Sequence, residues 1–285
     1  MLRTPLRDLI GIDVPIIQAG MSVYTSPGLA AAVSDAGGLG SLGAWMRPVE
    51  RLRRDLEQLR DATDRPFAVN HVVPDLDDAA FELTLERRPA VVSFALDDAG
   101  SLIDRVHQAG SLAMQQVTTV GQAEIAAEHG ADIIVAQGGE AGGYGGSVST
   151  LALVPQVVDA VRPLPVVATG GIADGRGLAA ALVLGAAGVN LGTRFLASEE
   201  APIDDAWKRA ILGSSSEAWV QLDADDDPDD PGVRGYGTRM RALQTAAGGY
   251  VGGQSAGLIR TVMPAADIVR LIASDAERIL ADEAT

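Results

Sequence analysis

The sequence predicts an α/β chain folded as a (β/α)8 TIM barrel with a small C-terminal or inserted appendage of helix and loop. Short apolar runs alternate with segments of helical period from close to the N-terminus, and eight such runs precede residue 196. The runs are nearly continuous Val, Ile and Ala stretches, which marks strands buried on both faces, as parallel strands between helices are. Eight βα units in so short a span favour a closed barrel over an open, doubly wound sheet.

The first apolar run is VPIIQAG (14–20). It is followed by SPGLAAAVSDAGG, where Ser26 caps, Pro27 takes the first helical position and Gly37 ends the helix. GLGSLGA supplies the second strand, the least regular because glycine dominates it, and the charged amphipathic PVERLRRDLEQLRDA the next helix. Strands then follow at PFAVNHV (66–72), AVVSFAL (90–96), SLAMQQV (111–117), ADIIVAQ (131–137), PVVATGG (165–171) and GVNLGTRF (188–195), with helical patterns between them. From about residue 197 the alternation loosens. PIDDAWKRAIL reads as a helix, LDADDDPDDPGVRGYGTR as a long polar loop, and AADIVRLIASDAERIL (265–280) as an amphipathic closing helix. The expected organisation is a barrel core over 1–196, an appendage with an acidic loop near the pocket over 197–264, and a closing helix packing on the barrel over 265–285.

At 285 residues and 47% apolar composition, the chain can bury a full core and reads as a soluble globular protein. A formal charge of −16 repels a polyanion, so nucleic acid is not an expected partner. The absence of cysteine excludes disulfides, thiolate metal sites and cysteine nucleophiles. The N-terminus lacks the pattern of a signal peptide, and no stretch has the unbroken run of about 18 apolar residues that a membrane helix needs. The expected compartment is cytoplasmic, with no membrane association.

Two motifs fail on context. Gly38-Leu39-Gly40-Ser41-Leu42-Gly43 has the G-x-G-x-x-G spacing of a dinucleotide site, but a helix precedes it where a strand is required, so it reads as a tight turn into the second strand. Asp223, Asp225 and Asp227 alternate as calcium ligands do, yet the turn-glycine position is Pro228 and the glutamate position is Arg234, which excludes an EF-hand loop. The run from Asp223 to Asp230 reads as a solvated or lid-forming loop.

The informative residues sit at the C-terminal ends of the strands, where barrel enzymes place their chemistry. TGGI (169–172) and NLGTRF (190–195) put glycines in the two loops that usually cradle a phosphate in this fold. The first strand ends in Gln18-Ala19-Gly20-Met21, the third in Asn70, and the sixth in Gln137 followed by six glycines in GGEAGGYGG. Amide donors and acceptors, a soft thioether and close backbone access suit a flat heteroaromatic ring with a polar edge, and flavin is the commonest such ring that carries a phosphate.

PIIQAGM, GGLGSLGA, VNHVVP, IVAQGGEAGGYGG, PVVATGGIADGRG, GVNLGTRFLASEEAP and GGQSAGLI, in this order from residue 14 to 259, together resemble the nitronate monooxygenase (2-nitropropane dioxygenase) family. That family includes related FMN-dependent enoyl-thioester reductases and quinone reductases. The resemblance implies a barrel with non-covalent FMN. It places Gly20, Met21 and Asn70 near the flavin, Gln137 and Gly142 at its edge, and Gly170, Gly171, Gly192 and Thr193 on its phosphate. Ser255 falls where the closing segment returns to the cofactor. The GGI segment is also similar to inosine-monophosphate dehydrogenases, but those need a cysteine that this chain lacks.

The chain departs from the family pattern at one position. Characterised members usually carry histidine after E-A-G-G, serving as base or proton donor; here the residue is Tyr144. A phenol, ionising near pH ~10, donates a hydrogen bond but is a poor base at neutral pH. Tyr144 is therefore expected to hold a nitronate anion or to donate a proton, with packing over the flavin as an apolar lid as the alternative. His71 is a second catalytic candidate, although strand alternation points it away from the face that Asn70 uses. His107 and His129 lie near glycine-ended helix C-termini and read as structural or solvated. Glu140 is expected to receive backbone N–H groups and shape its loop. No histidine pair has metal-ligand spacing.

The expected function is oxidation of a small nitronate or nitroalkane through FMN with O2 as acceptor, and weak activity on neutral nitroalkanes. The alternatives are an NAD(P)H-dependent FMN reductase of an enoyl thioester or quinone, and a non-catalytic flavin-binding module.

Overall fold

In the computed structural model, residues 2–222, 239–245 and 248–282 are described. The acidic run 223–230 lies outside them.

Eight parallel strands form the barrel: β1 (Ile16–Gln18), β2 (Gly40–Gly43), β3 (Phe67–Val72), β4 (Val91–Ala95), β5 (Leu112–Val117), β6 (Ile133–Gln137), β8 (Val166–Thr169) and β9 (Gly188–Leu191). Neighbours run in the order β1-β9-β8-β6-β5-β4-β3-β2. The remaining seam closes at the bridge between Ile17 and Leu39, where Gln18 N–H donates to Leu39 O at 2.9 Å. The break in strand numbering is β7 (Gly143–Gly145), a short strand in the loop between β6 and helix α7 (Thr150–Val161).

The helix after β1, α2 (Pro27–Asp35), forms as its caps dictate. Ser26 Oγ accepts Leu29 N–H at 3.0 Å, Pro27 opens the helix, and Gly37 takes φ +92° beyond its end. The glycine-rich β2 has a packing cause. A Cβ on Gly40 would lie 1.9 Å from Ala30 O, so α2 settles directly on the strand backbone. The G-x-G-x-x-G spacing thus serves helix–strand packing.

Side chains alternate across every strand. The outward set, including Ile16, Val92, Phe94, Ile134, Ala168 and Val189, packs under the helices. The inward set is layered, as in other barrels. At the N-terminal end Ile17, Leu39, Ala68, Val91, Met114, Ile133 and Val167 fill the interior, and α1 (Pro5–Ile10) plugs it with Leu6 and Ile10. One layer higher the inward positions turn polar, and that layer is the floor of the site.

Between β9 and the closing helix α11 (Ala265–Asp282) the chain leaves the barrel. It forms α9 (Thr193–Leu196), α10 (Asp205–Gly213), and a second sheet of β10 (Val220–Gln221), β11 (Arg239–Thr245) and β12 (Gly248–Val251). β7 joins this sheet by pairing antiparallel with β11, Tyr144 opposite Met240. The appendage shares its core with the barrel: Trp207, Ile211, Trp219 and Ile259 pack with Ala173, Leu196 and Ala197. α11 packs against α8 (Gly175–Val183) and α2, completing the ring of helices.

Candidate active site

The upper inward layer consists of Ser41, Asn70, Ser93, Gln116, Gln137, Thr169 and Asn190, each from a different strand, and all line one cavity of about 400 Å³ at the C-terminal end of the barrel. Strand alternation puts these side chains inward; their position beyond the apolar plug makes them the cavity floor. Asn70 Nδ2 donates to Ser93 Oγ at 2.9 Å, Gln116 Nε2 to Gln137 Oε1 at 2.9 Å, and Thr169 Oγ1 to Asn190 O at 2.6 Å. Asn190 Oδ1 and Ser41 Oγ are buried without a hydrogen-bond partner. A buried polar atom left unpaired costs about 1–3 kcal/mol, a cost that a hydrogen bond to either oxygen would relieve.

The remaining wall comes from loops. Gly170 (φ +109°) and Gly171 (φ +72°) turn the chain after β8, and Gly192 and Thr193 follow β9. A Cβ on Gly192 would make only ordinary van der Waals contacts, the nearest 3.5 Å from Met21 Sδ. The helix that starts inside the cavity wall is α9. The N-terminus of α8 is already capped by Asp174, which accepts Arg176 N–H and Gly177 N–H at 3.0 and 3.3 Å.

The six-glycine loop approaches other backbone. A Cβ on Gly142 would lie 2.4 Å from Gly252 C, and Gln254 N–H donates to Glu140 O at 2.9 Å. Close docking of these two segments carries Ser255 into the cavity wall. Glu140 Oε2 accepts from Thr150 N–H at 2.9 Å and Thr150 Oγ1 at 2.8 Å, which ties the loop to the start of α7. Arg241, on β11, donates to Gly139 O at 3.0 and 2.6 Å and to Trp219 O at 2.6 Å. Burial lowers the pKa of its guanidinium and the Glu140 carboxylate opposes that shift.

Gly20, Met21, Asn70, Gln137, Gly142, Tyr144, Gly170, Gly171, Gly192, Thr193 and Ser255 therefore line a single cavity. Tyr144 is buried and meets Trp45 edge to face, with centroids 6.5 Å apart. His71 is not brought to the site. It lies on the outer face of β3, 2% exposed, with Nε2 3.0 Å from Thr84 Oγ1 and its ring against Phe81 and Phe94. Burial pushes its pKa down to about 4, so it stays neutral. The reason is the alternation that turns Asn70 inward. His107 and His129 pair with Asp132 (2.9 Å) and Asp98 (2.8 Å) on the helical side. Among the described residues no cluster of histidine and carboxylate side chains is arranged to hold a metal.

Sequence reasoning did not single out Ser41, Ser93, Gln116, Thr169, Asn190, Trp45 or Arg241. The first five carry a readable signal, a polar residue at an inward parity near a strand's C-terminal end.

Comparison with known proteins agrees with this geometry. The nitronate monooxygenase family profile matches residues 3–82 and 77–222. The chain belongs to the nitronate monooxygenase family. This is a family of flavin-dependent oxidoreductase enzymes. A nitronate monooxygenase of Paraburkholderia phytofirmans is 33% identical, covering 94% of this chain and 93% of that protein. A (3aS,4S,5R,7aS)-5-hydroxy-7a-methyl-1-oxo-octahydro-1H-indene-4-carboxyl-CoA dehydrogenase of Mycobacterium tuberculosis is 42% identical over 223 residues, 77% of this chain; the chain spans 62% of that relative's length. Among solved structures, FabK from Thermotoga maritima superposes with a TM-score of 0.92 at 32% identity, covering 99% of this chain and 98% of that one. Nitroalkane oxidase from Streptomyces ansochromogenes gives 0.85 at 28% identity, covering 97% and 99%. Both extend across the barrel and the appendage of this family member, so the described elements between β9 and α11 are part of the shared architecture. No helix among the described residues is long and apolar enough to cross a membrane.

Proposed function

We propose that the chain is an FMN-dependent oxidase of small nitronates with O2 as electron acceptor. The observation that carries this reading is the chemistry of the cavity lining. Among the described residues it holds hydroxyls, carboxamides, backbone and apolar groups, and no histidine, lysine, arginine or carboxylate. A reaction that begins by removing a proton from carbon needs a base, which a phenol is not near neutral pH. A nitronate has already lost that proton and needs only to be held.

The residues fit FMN. Asn190 Oδ1 and Ser41 Oγ are buried and unpaired, as a floor awaiting a ring with polar edges would leave them. Gly170, Gly171, Gly192 and Thr193 put backbone on the cavity wall, where a phosphate would be held. Met21 offers a soft contact to a ring, Asn70 and Gln137 polar ones, and Gly20, Gly142 and Ser255 complete the enclosure. When bound, FMN supplies a ring that takes an electron pair from the substrate and passes it to dioxygen. Tyr144 donates its hydroxyl to the nitronate oxygens, and Trp45, Trp207 and Met240 exclude water from the remaining volume. His71, on the outer face of β3, takes no part.

The identity to a nitronate monooxygenase over 93% of its length supports this reading. A second reading, NAD(P)H-dependent reduction of an enoyl thioester or quinone, draws on the 42% identity to a carboxyl-CoA dehydrogenase. There Tyr144 would donate the final proton. Oxygen uptake separates the two: uptake on adding propyl-2-nitronate without a pyridine nucleotide supports the oxidase, while uptake driven only by NADH or NADPH supports the reductase. A flavin-binding module without activity would give neither.

A further inference from the structure

A side groove of about 260 Å³ runs beside the cavity, and the two share Trp45, Met46 and Val72. Trp45 is held from both sides. Its Nε1–H donates to Asp75 Oδ2 at 3.1 Å, its ring meets Tyr144 edge to face, and its carbonyl accepts Ser22 Oγ–H at 2.8 Å. The next two residues fix the turn that presents it. Met46 adopts φ +59°, and the buried Arg47 pairs with Asp55 while donating to Gly43 O at 2.8 Å and Thr25 O at 2.8 Å. The indole thus stands as a braced partition between two volumes.

The groove behind it has one apolar wall, with Arg47, His71, Asp75 and Asp77 on the rest of its lining. Ala44, Pro48, Val72, Leu76 and Ala80 line it. Its charged groups are engaged: Arg47 with Asp55, Asp77 with the N–H groups of Ala79 and Ala80, and Asp75 with Trp45. His71 on its floor is neutral because burial holds its pKa near about 4.

We infer that Trp45 is the specificity-determining residue that sets how long an apolar substrate tail the cavity accepts: it walls off the side groove, and its removal would join groove and cavity into one channel. The inference rests on the proposed placement of substrate in the cavity beside Tyr144, but not on which reaction occurs there.

The test uses unreactive probes, straight-chain 1-alkanols from butanol to dodecanol, titrated calorimetrically into the purified full-length protein with saturating FMN. For the unmodified protein, affinity should rise about fourfold per methylene, the value expected for burial of one CH2, and then stop rising at the length that reaches Trp45. Trp45→Ala should carry the rise at least two methylenes further, tightening the longest alcohols by more than tenfold. Trp45→Phe, which keeps a wall but loses the bond to Asp75, should keep the original limit or exceed it by one methylene at most. Trp45→Val, a milder truncation of the same wall, should move the limit in the same direction as Trp45→Ala and takes its place if that variant fails to fold. An unchanged limit in Trp45→Ala, or in Trp45→Val where it must substitute, overturns the inference. Since the alcohols are not oxidised, failure of nitronate turnover would remove the proposed reaction and leave the partition standing.

Discussion

Tyr144 and Met240 lie opposite one another in the antiparallel pairing of β7 and β11, so Tyr144 is set in a strand of the appendage sheet. Its backbone position depends on a segment nearly 100 residues away, and its side chain is buried in the cavity wall. In the proposed reading, that arrangement makes Tyr144 a fixed hydrogen-bond donor to the substrate.

Tyr144→Phe keeps the edge contact with Trp45 and removes the hydroxyl. Loss of a positioned donor to a substrate oxygen costs about 100-fold. We expect kcat/KM for propyl-2-nitronate to fall by that order while FMN affinity is unchanged, measured by oxygen uptake and by flavin titration. Tyr144→His should confer activity on neutral 2-nitropropane, rising with pH through an imidazole pKa near ~6.5.

Asn190 Oδ1 is a floor atom buried without a hydrogen-bond partner. Asn190→Ala should weaken FMN binding about tenfold, the worth of one hydrogen bond to a buried group. Quenching of FMN fluorescence on binding measures it. An unaltered affinity would place the flavin edge elsewhere.

Arg241 joins the appendage to the glycine loop through Gly139 O and Trp219 O. Arg241→Met keeps much of the volume and leaves both buried carbonyls without that donor. A loss of about 3 kcal/mol is expected in urea denaturation.

His71 is buried neutral, with its pKa lowered to about 4. The unfolded chain takes up this proton below pH ~6.5 and the folded chain only near pH 4, so between these values the unfolded state binds more protons and stability rises with pH. The contribution is complete above pH ~6.5 and amounts to about 3 kcal/mol lost by pH 4. His71→Gln should flatten this part of the stability–pH curve and leave nitronate turnover at pH 8 within about twofold. A large loss of turnover would return His71 to the catalytic machinery.

The barrel was legible because each strand is an apolar run bounded by turn residues, and even the glycine-rich β2 was placed, although its cause, the contact of Gly40 with Ala30 O, is tertiary. Gly170, Gly171, Gly192 and Thr193 were legible because the fold dictates which loops end at the cavity. The strand–parity rule applied to Asn70 and His71 separated a lining residue from an outward one. The same rule extended to Ser41, Gln116 and Asn190 would have found the polar floor. Trp45 and Arg241 were not legible: each acts through partners, Asp75 and Gly139, that are 30 and 102 residues away. The glycine loop was read as access to a ligand, whereas Gly142 is required by the backbone of Gly252.

The most direct test is the visible spectrum of the purified protein under anaerobic titration with propyl-2-nitronate, then with NADH and NADPH. The account predicts a bound-FMN band bleached by the nitronate alone, with Tyr144→Phe slowing the bleaching. Bleaching by a pyridine nucleotide alone would contradict the oxidase reading, and no flavin band even after added FMN would contradict the cofactor site itself.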